Sequence, residues 1–222
     1  MKLSILIATL GRREYRFLHL LSLLMPQVDK YDGQIEVLAY WNNGERPIGE
    51  IRQALIESAV GEYVCFIDDD DAVPGYYCAE ILEALKDNPD YMGFKVQFFN
   101  EGVEAKPVFH SIMYNRWYED ERGYYRGVTH LNPIKREIAL QGDFGSMGIG
   151  EDAKWARSVT PLVKTEKYVD KVMYQYYHDK SDTSFGGDRK PDGNYKRPIV
   201  AYKNFSFLVT QARSQYATNN RV

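Results

Sequence analysis

The chain is poor in cysteine, in excess charge and in long apolar runs, and each shortage excludes a class of protein. Its 222 residues include only two cysteines, Cys65 and Cys78, which form neither a CxxC pair nor a larger framework, so we expect reduced thiols rather than a disulfide scaffold or a zinc site. The formal net charge of -3 provides no global basic field for nucleic acid or an anionic membrane. The first apolar stretch is interrupted at Thr9 and Gly11, too early for a signal peptide or a membrane span. We therefore expect a soluble, cytoplasmic protein.

In the first third of the chain, short apolar runs alternate with segments in which apolar residues recur at helical spacing. Strands are predicted at Leu3 to Ala8, Ile35 to Tyr40 and Tyr63 to Ile67, with helices marked by Phe17 to Leu24, ended by Pro26, and by Ile48 to Ala59. This β-α-β-α-β order favours a parallel sheet flanked by helices, in which ligands bind beyond the carboxyl ends of the strands.

The second half of the chain does not continue this alternation of strands and helices. Antiparallel strands or hairpins are predicted between Tyr91 and Thr129, a helix after Asn132-Pro133, a short helix from Glu151-Asp152, a strand from Val169 to Tyr177, and a loop over the site from His178 to Pro198. No repeat and no domain linker is evident, so one compact unit is expected.

Four consecutive aspartates, Asp68 to Asp71, follow the third predicted strand directly. Carboxylates this close repel one another unless a cation is present, and hard oxygen ligands suit Mg²⁺ or Mn²⁺. A calcium loop of the EF-hand type is excluded because Ala72 and Val73 occupy positions that need a ligand and a glycine. The alternative is an acidic turn that precedes the helix at Pro74.

Other charged residues admit both a functional and a structural explanation. Glu151 and Asp152 could supply a carboxylate base, although acids are also common at helix starts. Arg12, Arg13 and Arg52 could approach a diphosphate or be solvated surface arginines.

His178 and a cluster of aromatic residues also admit both a functional and a structural explanation. His178 could bind metal or be structural, and Lys180 could contact phosphate. An aromatic cluster could stack on a sugar or a base, or could pack a hairpin. It comprises Tyr114, Trp117, Tyr118, Tyr124 and Tyr125.

Four segments taken in order carry a family resemblance. They are KLSILIATLGRR from Lys2, IGEIRQALIESAVGEYVCFIDDDD from Ile48, HLNPIKREIA from His130 and GEDAKWA from Gly150. Together they resemble the family-2 glycosyltransferases of the GT-A fold, over roughly the first 160 residues. The resemblance implies an α/β protein with a Rossmann-like nucleotide-binding half, a mixed sheet and a smaller acceptor-side half. A single domain over residues 1–222 is expected, divided into 1–100 and an acceptor-side half with the C-terminal loop at 101–222.

The resemblance also implies roles for individual residues in a metal-dependent, inverting, hexosyltransferase-like enzyme. Asp68 would contact the donor's ribose or sugar, Asp70 in this DXD-type motif would bind Mn²⁺ or Mg²⁺, and Asp69 or Asp71 would support them. His178, from the residue pattern alone, is the second candidate metal ligand. Asp152, beside Glu151, would be the catalytic base. The remaining assignments are Thr9, Arg12, Asn42, Asn43, Arg52 and Asp69 to nucleotide-sugar binding, and His130 and Trp155 to the acceptor.

One departure from the family concerns the nucleotide base. Many relatives carry an acidic pair after the second strand, where this chain has Asn42-Asn43, so a UDP-sugar donor is favoured only weakly. The expected acceptor is a saccharide, a protein, a small molecule or a modified nucleic-acid base. A local basic patch could bind an anionic acceptor or be a solvated loop, and comprises Lys180, Arg189, Lys190, Lys196 and Arg197.

Two other functions are weighed against glycosyl transfer. A sugar nucleotidyltransferase would need a glycine-rich phosphate loop with an adjacent lysine near the amino terminus, and Gly11-Arg12-Arg13 is a poor substitute. A non-catalytic nucleotide- or sugar-binding module would have no need of both Asp70 and Asp152.

Overall fold

The structure is a computed structural model that describes residues 1–178 and the strand at 200–202. Its strands are β1 Leu3–Leu10, β2 Ile35–Asn42, β3 Tyr63–Phe66, β4 Tyr91–Asn100, β5 Val103–Glu104, β6 Val108–His110, β7 Tyr118–Glu119, β8 Tyr124–Arg126, β9 Ile134–Lys135, β10 Glu166–His178 and β11 Val200–Tyr202. Its helices are α1 Glu14–Val28, α2 Ile48–Ser58, α3 Tyr77–Ala84, α4 Arg136–Ala139 and α5 Glu151–Val159. The predicted β-α-β-α-β start is confirmed.

All the strands belong to one mixed sheet. Its order is β11-β2-β1-β3-β9-β4-β6-β8-β7, with β10 and β5 also paired to β4. β1 is parallel to both β2 and β3, so the carboxyl ends of these three strands open onto one edge. Beyond them, β9 runs antiparallel to β3 and β4, and β6 runs antiparallel to β4. The pairing of β4 with β6 agrees with the antiparallel strands predicted between Tyr91 and Thr129.

Helices cover both faces of the parallel part of the sheet. Alternate residues of β1 point to opposite faces, so Leu3, Ile5 and Ile7 join one apolar core with α1 and α3. Leu6 and Ala8 join a second core with α2, α4 and α5. Every residue of β1 is buried, which explains why its sequence is mostly apolar.

The predicted end of the first helix at Pro26 is wrong. Pro26 lies inside α1, which continues to Val28. Proline removes only one backbone donor, and the last turn is retained because tertiary contacts stabilise it. Gln27 Nε2 donates to Leu23 O and to Pro74 O, both at 3.0 Å, and Gln27 Oε1 accepts from the Cys78 N–H at 3.2 Å.

The helix predicted to start at Asn132-Pro133 begins three residues later, at Arg136. Asn132 does not cap it, because its amide is buried and bonded elsewhere. Nδ2 donates to Met92 O at 2.8 Å, while Oδ1 accepts from Thr129 Oγ1 at 2.8 Å and lies 2.7 Å from Nδ1 of His110. The short helix at Glu151 and the strand predicted from Val169 to Tyr177 are confirmed as α5 and β10.

Candidate active site

The four aspartates follow β3 at the edge where the parallel strands end, and the structure gives each carboxylate different partners. The chain turns through residues 68–71, where the Asp71 N–H donates to Asp68 O at 3.2 Å. Successive side chains therefore point in different directions, and the run does not act as one ligand cluster.

Asp69 holds the loop after β1 in place. Its carboxylate is buried and accepts hydrogen bonds from Thr9 Oγ1 at 2.8 Å and from the Leu10 N–H at 3.2 Å, and it also pairs with Arg13 Nη1 at 2.9 Å. Burial raises the pKa of Asp69, and the Arg13 charge opposes that rise. Thr9 and Asp69 thus contact each other in the interior and fix the position of the first loop.

Asp70 is more accessible than Asp69 and Asp71. Its side chain is 20% exposed and pairs with Arg13 Nη1 at 2.9 Å, with Arg16 Nη1 3.8 Å away. Burial, reinforced by the neighbouring Asp68 charge, raises the pKa of Asp70 to about 6. Asp70 and His178 line the same cavity of about 350 Å³, so the structure brings the two predicted metal ligands to one place.

Asp71 attaches β10 to the aspartate turn. Its buried carboxylate accepts from Tyr174 Oη at 2.7 Å and from the Tyr177 N–H at 2.9 Å, and Ala72 pairs with Gln175 as an isolated bridge. Burial raises the pKa of Asp71 well above its ordinary value, and the charges of Asp68 and Asp70 add to the effect.

Asp68 is joined to Glu151 through a buried arginine. Arg52 Nη2 contacts Asp68 Oδ1 at 2.9 Å, and Arg52 Nη1 contacts Glu151 Oε1 at 3.1 Å. Burial raises the pKa of Asp68, but the attraction of Arg52, His130 and Arg13 together outweighs burial and lowers that pKa. Burial also raises the pKa of Glu151, an effect that Arg52 opposes.

Close packing between α2 and the loop before α5 makes this bridge possible. A Cβ atom at Gly49 would lie 2.3 Å from Gly145 O and 3.3 Å from Glu151 Cβ, so only glycine allows the approach. The Gly49 N–H donates to Met147 O at 3.3 Å. Arg52, one turn later on α2, therefore lies between the two carboxylates.

Asp68 and Asp152 line a common cavity of about 390 Å³. Asp152 Oδ1 accepts the N–H of Ala153 at 2.7 Å, whereas its Oδ2 accepts no hydrogen bond from the described residues. His130 lines the same cavity, and its Nε2 lies 4.0 Å from Asp68 Oδ1. Aromatic and charged side chains complete the walls, namely Phe98, Trp117, Tyr124, Arg126 and Tyr176.

Trp155 does not belong to this site, which corrects its assignment to the acceptor. Its side chain is 1% exposed, its ring stacks on Phe144 with centroids 5.2 Å apart, and its Nε1 donates to Ala139 O at 3.1 Å. It packs in the core because α5 is amphipathic and turns this face inward.

Asn42 and Asn43, at the end of β2, lie in different environments. Asn42 is buried, and its amide closes its own loop by donating to Arg46 O at 3.0 Å and accepting from the N–H groups of Glu45 and Arg46. This use of both ends of the amide corrects the assignment of Asn42 to nucleotide-sugar binding. Asn43 is exposed beside Gly11, where an added Cβ would lie 2.2 Å from Asn43 Oδ1.

The first loop contains both predicted arginines, in different roles. Arg12 is exposed at the edge of the site, and Arg13 is buried against Asp69 and Asp70.

The predicted aromatic cluster packs as a hairpin, with Tyr118 stacked on Tyr125 at 4.5 Å, while Trp117 and Tyr124 also face the cavity. The predicted basic patch from Lys180 to Arg197 lies outside the described residues.

The donor set for a divalent cation is small. Among residues 1–178 and 200–202, no group of three or more His, Cys, Asp or Glu side chains is arranged to hold a metal ion. Asp70 and His178 line one cavity and would be the two protein ligands, and a magnesium-type ion commonly takes one or two carboxylates and completes its shell with water and substrate phosphates. The residues present therefore fit a metal that binds together with a nucleotide.

Sequence reasoning missed two residues that organise the site. Tyr174 donates to Asp71 and accepts the Asp68 N–H at 3.0 Å, and no local signal marks it because it lies more than a hundred positions away along the chain. Arg126 lines the cavity from β8, in a segment where the sequence drew attention to the aromatic residues alone.

No helix of the described residues is long and apolar enough to cross a membrane.

Comparison with known proteins gives a consistent picture. The model of the family described as "Glycosyl transferase family 2" matches residues 27–142, more than half of the chain. A crystal structure of S. aureus TarS residues 1–349 superimposes with a TM-score of 0.58 at 16% identity, covering 80% of this chain and 60% of that one. The TarS complex with UDP-GlcNAc gives a TM-score of 0.59 at 16% identity, over 81% and 59%. These likenesses show the GT-A fold.

A closer sequence match is shorter. EpsH of Bacillus subtilis (strain 168) is 36% identical over 61 residues, which are 28% of this chain and 17% of EpsH. The chain thus spans about 60% of the TarS chain and a smaller part of EpsH.

Proposed function

Because the chain belongs to glycosyl transferase family 2, we propose that it transfers a sugar from a nucleoside-diphosphate sugar to an acceptor hydroxyl, with inversion at the anomeric carbon. The observation that carries the proposal is that Asp68 and Asp152 line one cavity at the carboxyl ends of the parallel strands. Such an edge is the usual ligand site of an open α/β sheet.

The donor binds where the loops after β1, β2 and β3 meet. Asp68 is held ionised by Arg52, so it accepts hydrogen bonds from ribose or sugar hydroxyls. Arg12 and Asn43 lie at the exposed rim, where they reach the nucleotide. A uridine nucleotide is the first candidate, because the similar TarS was crystallised with UDP-GlcNAc and with UDP.

Asp70 and His178 would hold Mn²⁺ or Mg²⁺ in their shared cavity. When bound, such an ion neutralises the charge that develops on the departing diphosphate. Arg13 and Arg16 reach the same carboxylate but compensate only part of the negative charge of the aspartate turn. The raised pKa of Asp70 fits a carboxylate whose negative charge lacks full compensation.

Asp152 acts as the general base. Its Oδ1 is anchored by the Ala153 N–H, and its Oδ2 is left to take the proton from the acceptor hydroxyl. A hydroxyl activated on the side opposite the leaving group attacks in a single displacement, which inverts the configuration. Glu151 does not share this role, because Arg52 binds it; it positions Arg52 and, through it, Asp68.

Calorimetry with a panel of nucleoside diphosphates, with and without Mn²⁺, tests the donor site. We expect one nucleotide to bind in the presence of Mn²⁺, and the Asp70→Asn variant to lose at least about tenfold in affinity, since a charged metal ligand is removed. Asp87→Asn is the matched control, because Asp87 lies on the surface in a pair with Lys167.

Turnover of the bound sugar nucleotide then tests the chemistry. NMR of the product should show an inverted anomeric centre, and Asp152→Asn should abolish turnover while nucleotide binding is retained. A product with retained configuration would refute the role of Asp152, and absence of nucleotide binding under all conditions would refute the enzyme assignment.

A further inference from the structure

A second cavity continues from the first along α5. It measures about 420 Å³ and shares Trp117, Val128 and Ala156 with the cavity that contains Asp68 and Asp152. We call it the arginine cavity, because Arg116 and Arg157 line it and no acidic residue does. Neither guanidinium forms a hydrogen bond or an ion pair with another described residue, so both are available to a ligand.

The geometry of α5 sets the distance between the two cavities. Asp152 lines the first, Arg157 lines the second, and the five intervening steps of the helix span about 7.5 Å along its axis. A ligand that reaches both is therefore an extended molecule of more than one unit. Trp117, with a side chain that is 55% exposed, lies where the two cavities meet.

A third arginine lies inside the first cavity. The Arg126 guanidinium lies 4.8 Å from the Trp117 ring centroid and 5.6 Å from that of Tyr124, and its Nη1 donates to Tyr118 O and Tyr125 O. Within the part of the chain that the structure describes, no carboxylate pairs with Arg126. A planar cation stacked on aromatic rings presents its remaining N–H groups in a fork that suits a carboxylate or a phosphate.

We propose that the acceptor is an extended anionic saccharide or polyol chain, with negative groups that bind Arg126 and the pair Arg116 and Arg157. Its reacting hydroxyl lies beside Asp152, and Trp117 stacks on the unit between. The proposal rests on the proposed function and adds the acceptor's class. The shared chemistry is a chain with repeated negative groups, which carboxylates or phosphodiesters supply equally.

The test compares three probes of equal length on protein saturated with its nucleoside diphosphate and Mn²⁺. They are maltotetraose, which is neutral, tetragalacturonate, which carries carboxylates, and a glycerol phosphate tetramer, which carries phosphodiesters. We expect one anionic probe to bind at least about tenfold more tightly than maltotetraose at low salt, because charge-assisted hydrogen bonds between its negative groups and the arginines strengthen binding. The tighter of the two anionic probes identifies the negative group.

The variant Arg116→Gln/Arg157→Gln should lose about tenfold in affinity for the anionic probe and bind maltotetraose as the wild type does. Arg122→Gln is the matched control, because Arg122 is exposed in the nearby β7–β8 turn and lines neither cavity. Equal binding of neutral and anionic probes, or an equal loss in the Arg122 variant, would overturn the proposal. Nucleotide calorimetry on the same samples separates this failure from failure of the donor site.

Discussion

Replacing Arg52 by methionine should expose how much the site depends on one buried cation. Arg52 contacts Asp68 at 2.9 Å and Glu151 at 3.1 Å, and the side chains of Arg52 and Glu151 are each 8% exposed. Methionine fills a similar volume without the charge, so the variant leaves two carboxylates near each other without their cation. Breaking a buried ion pair from one side costs about 3–5 kcal/mol. Because the Asp68 side chain is 30% exposed, the lower end applies, about 3 kcal/mol.

Urea denaturation at pH 7 measures this loss in the free energy of unfolding. For a chain of this size a loss of about 3 kcal/mol corresponds to a decrease in Tm of roughly 6–12 °C. A second substitution, Glu151→Gln, made in the Arg52→Met background should restore about 1 kcal/mol, because it removes one of the two unpaired charges.

Arg46→Met is the control, two residues before the start of the same helix. Arg46 is exposed and pairs with Glu50 at 3.2 Å, so its loss should change stability by less than about 0.5 kcal/mol. If Arg52→Met cost no more than Arg46→Met, or if Glu151→Gln worsened the variant, the assignment of Arg52 as the compensating charge would be refuted.

Two further predictions concern the core and the pH dependence of stability. Trp155→Ala should cost about 3–5 kcal/mol in urea denaturation, because the ring is buried and stacked on Phe144. Burial lowers the pKa of His110 to about 4. Since the unfolded state then binds more protons between pH 6.5 and 4, stability is complete above pH 6.5 and about 3 kcal/mol of it is lost as pH falls to 4. His110→Gln should remove that part of the pH dependence when unfolding is measured across this window.

Each of these predictions has a matched control. Trp117→Ala removes an exposed tryptophan and should cost less than about 1 kcal/mol. A Trp155 variant of normal stability that fails only in acceptor turnover would restore the acceptor role inferred from the sequence. His19 is exposed, so His19→Gln should keep the wild-type pH profile. A His110 variant with an unchanged profile would show that other groups cause the acid sensitivity.

The family segments pointed to Asp152 as a base, and the structure shows that it lines a cavity, but the segments did not separate it from Glu151. Both residues lie in the first turn of α5, where either carboxylate is favourable. The separation depends on which of them faces Arg52, and therefore on how closely Gly49 allows α2 to approach. Likewise Thr9 and Asp69 were correctly placed at the strand ends, yet they bond to each other across sixty residues and line the interior.

The sequence by itself determined the order of strands and helices, the position of the four aspartates after a parallel strand and the family, because these depend on local periodicity and on motifs that are contiguous in the chain. The tertiary structure alone decided which of four adjacent aspartates pairs with which cation, that Trp155 is core, and that Arg116 and Arg157 share a cavity. Those outcomes depend on contacts between residues far apart in the chain, and a turn of four residues points each carboxylate toward a different neighbour.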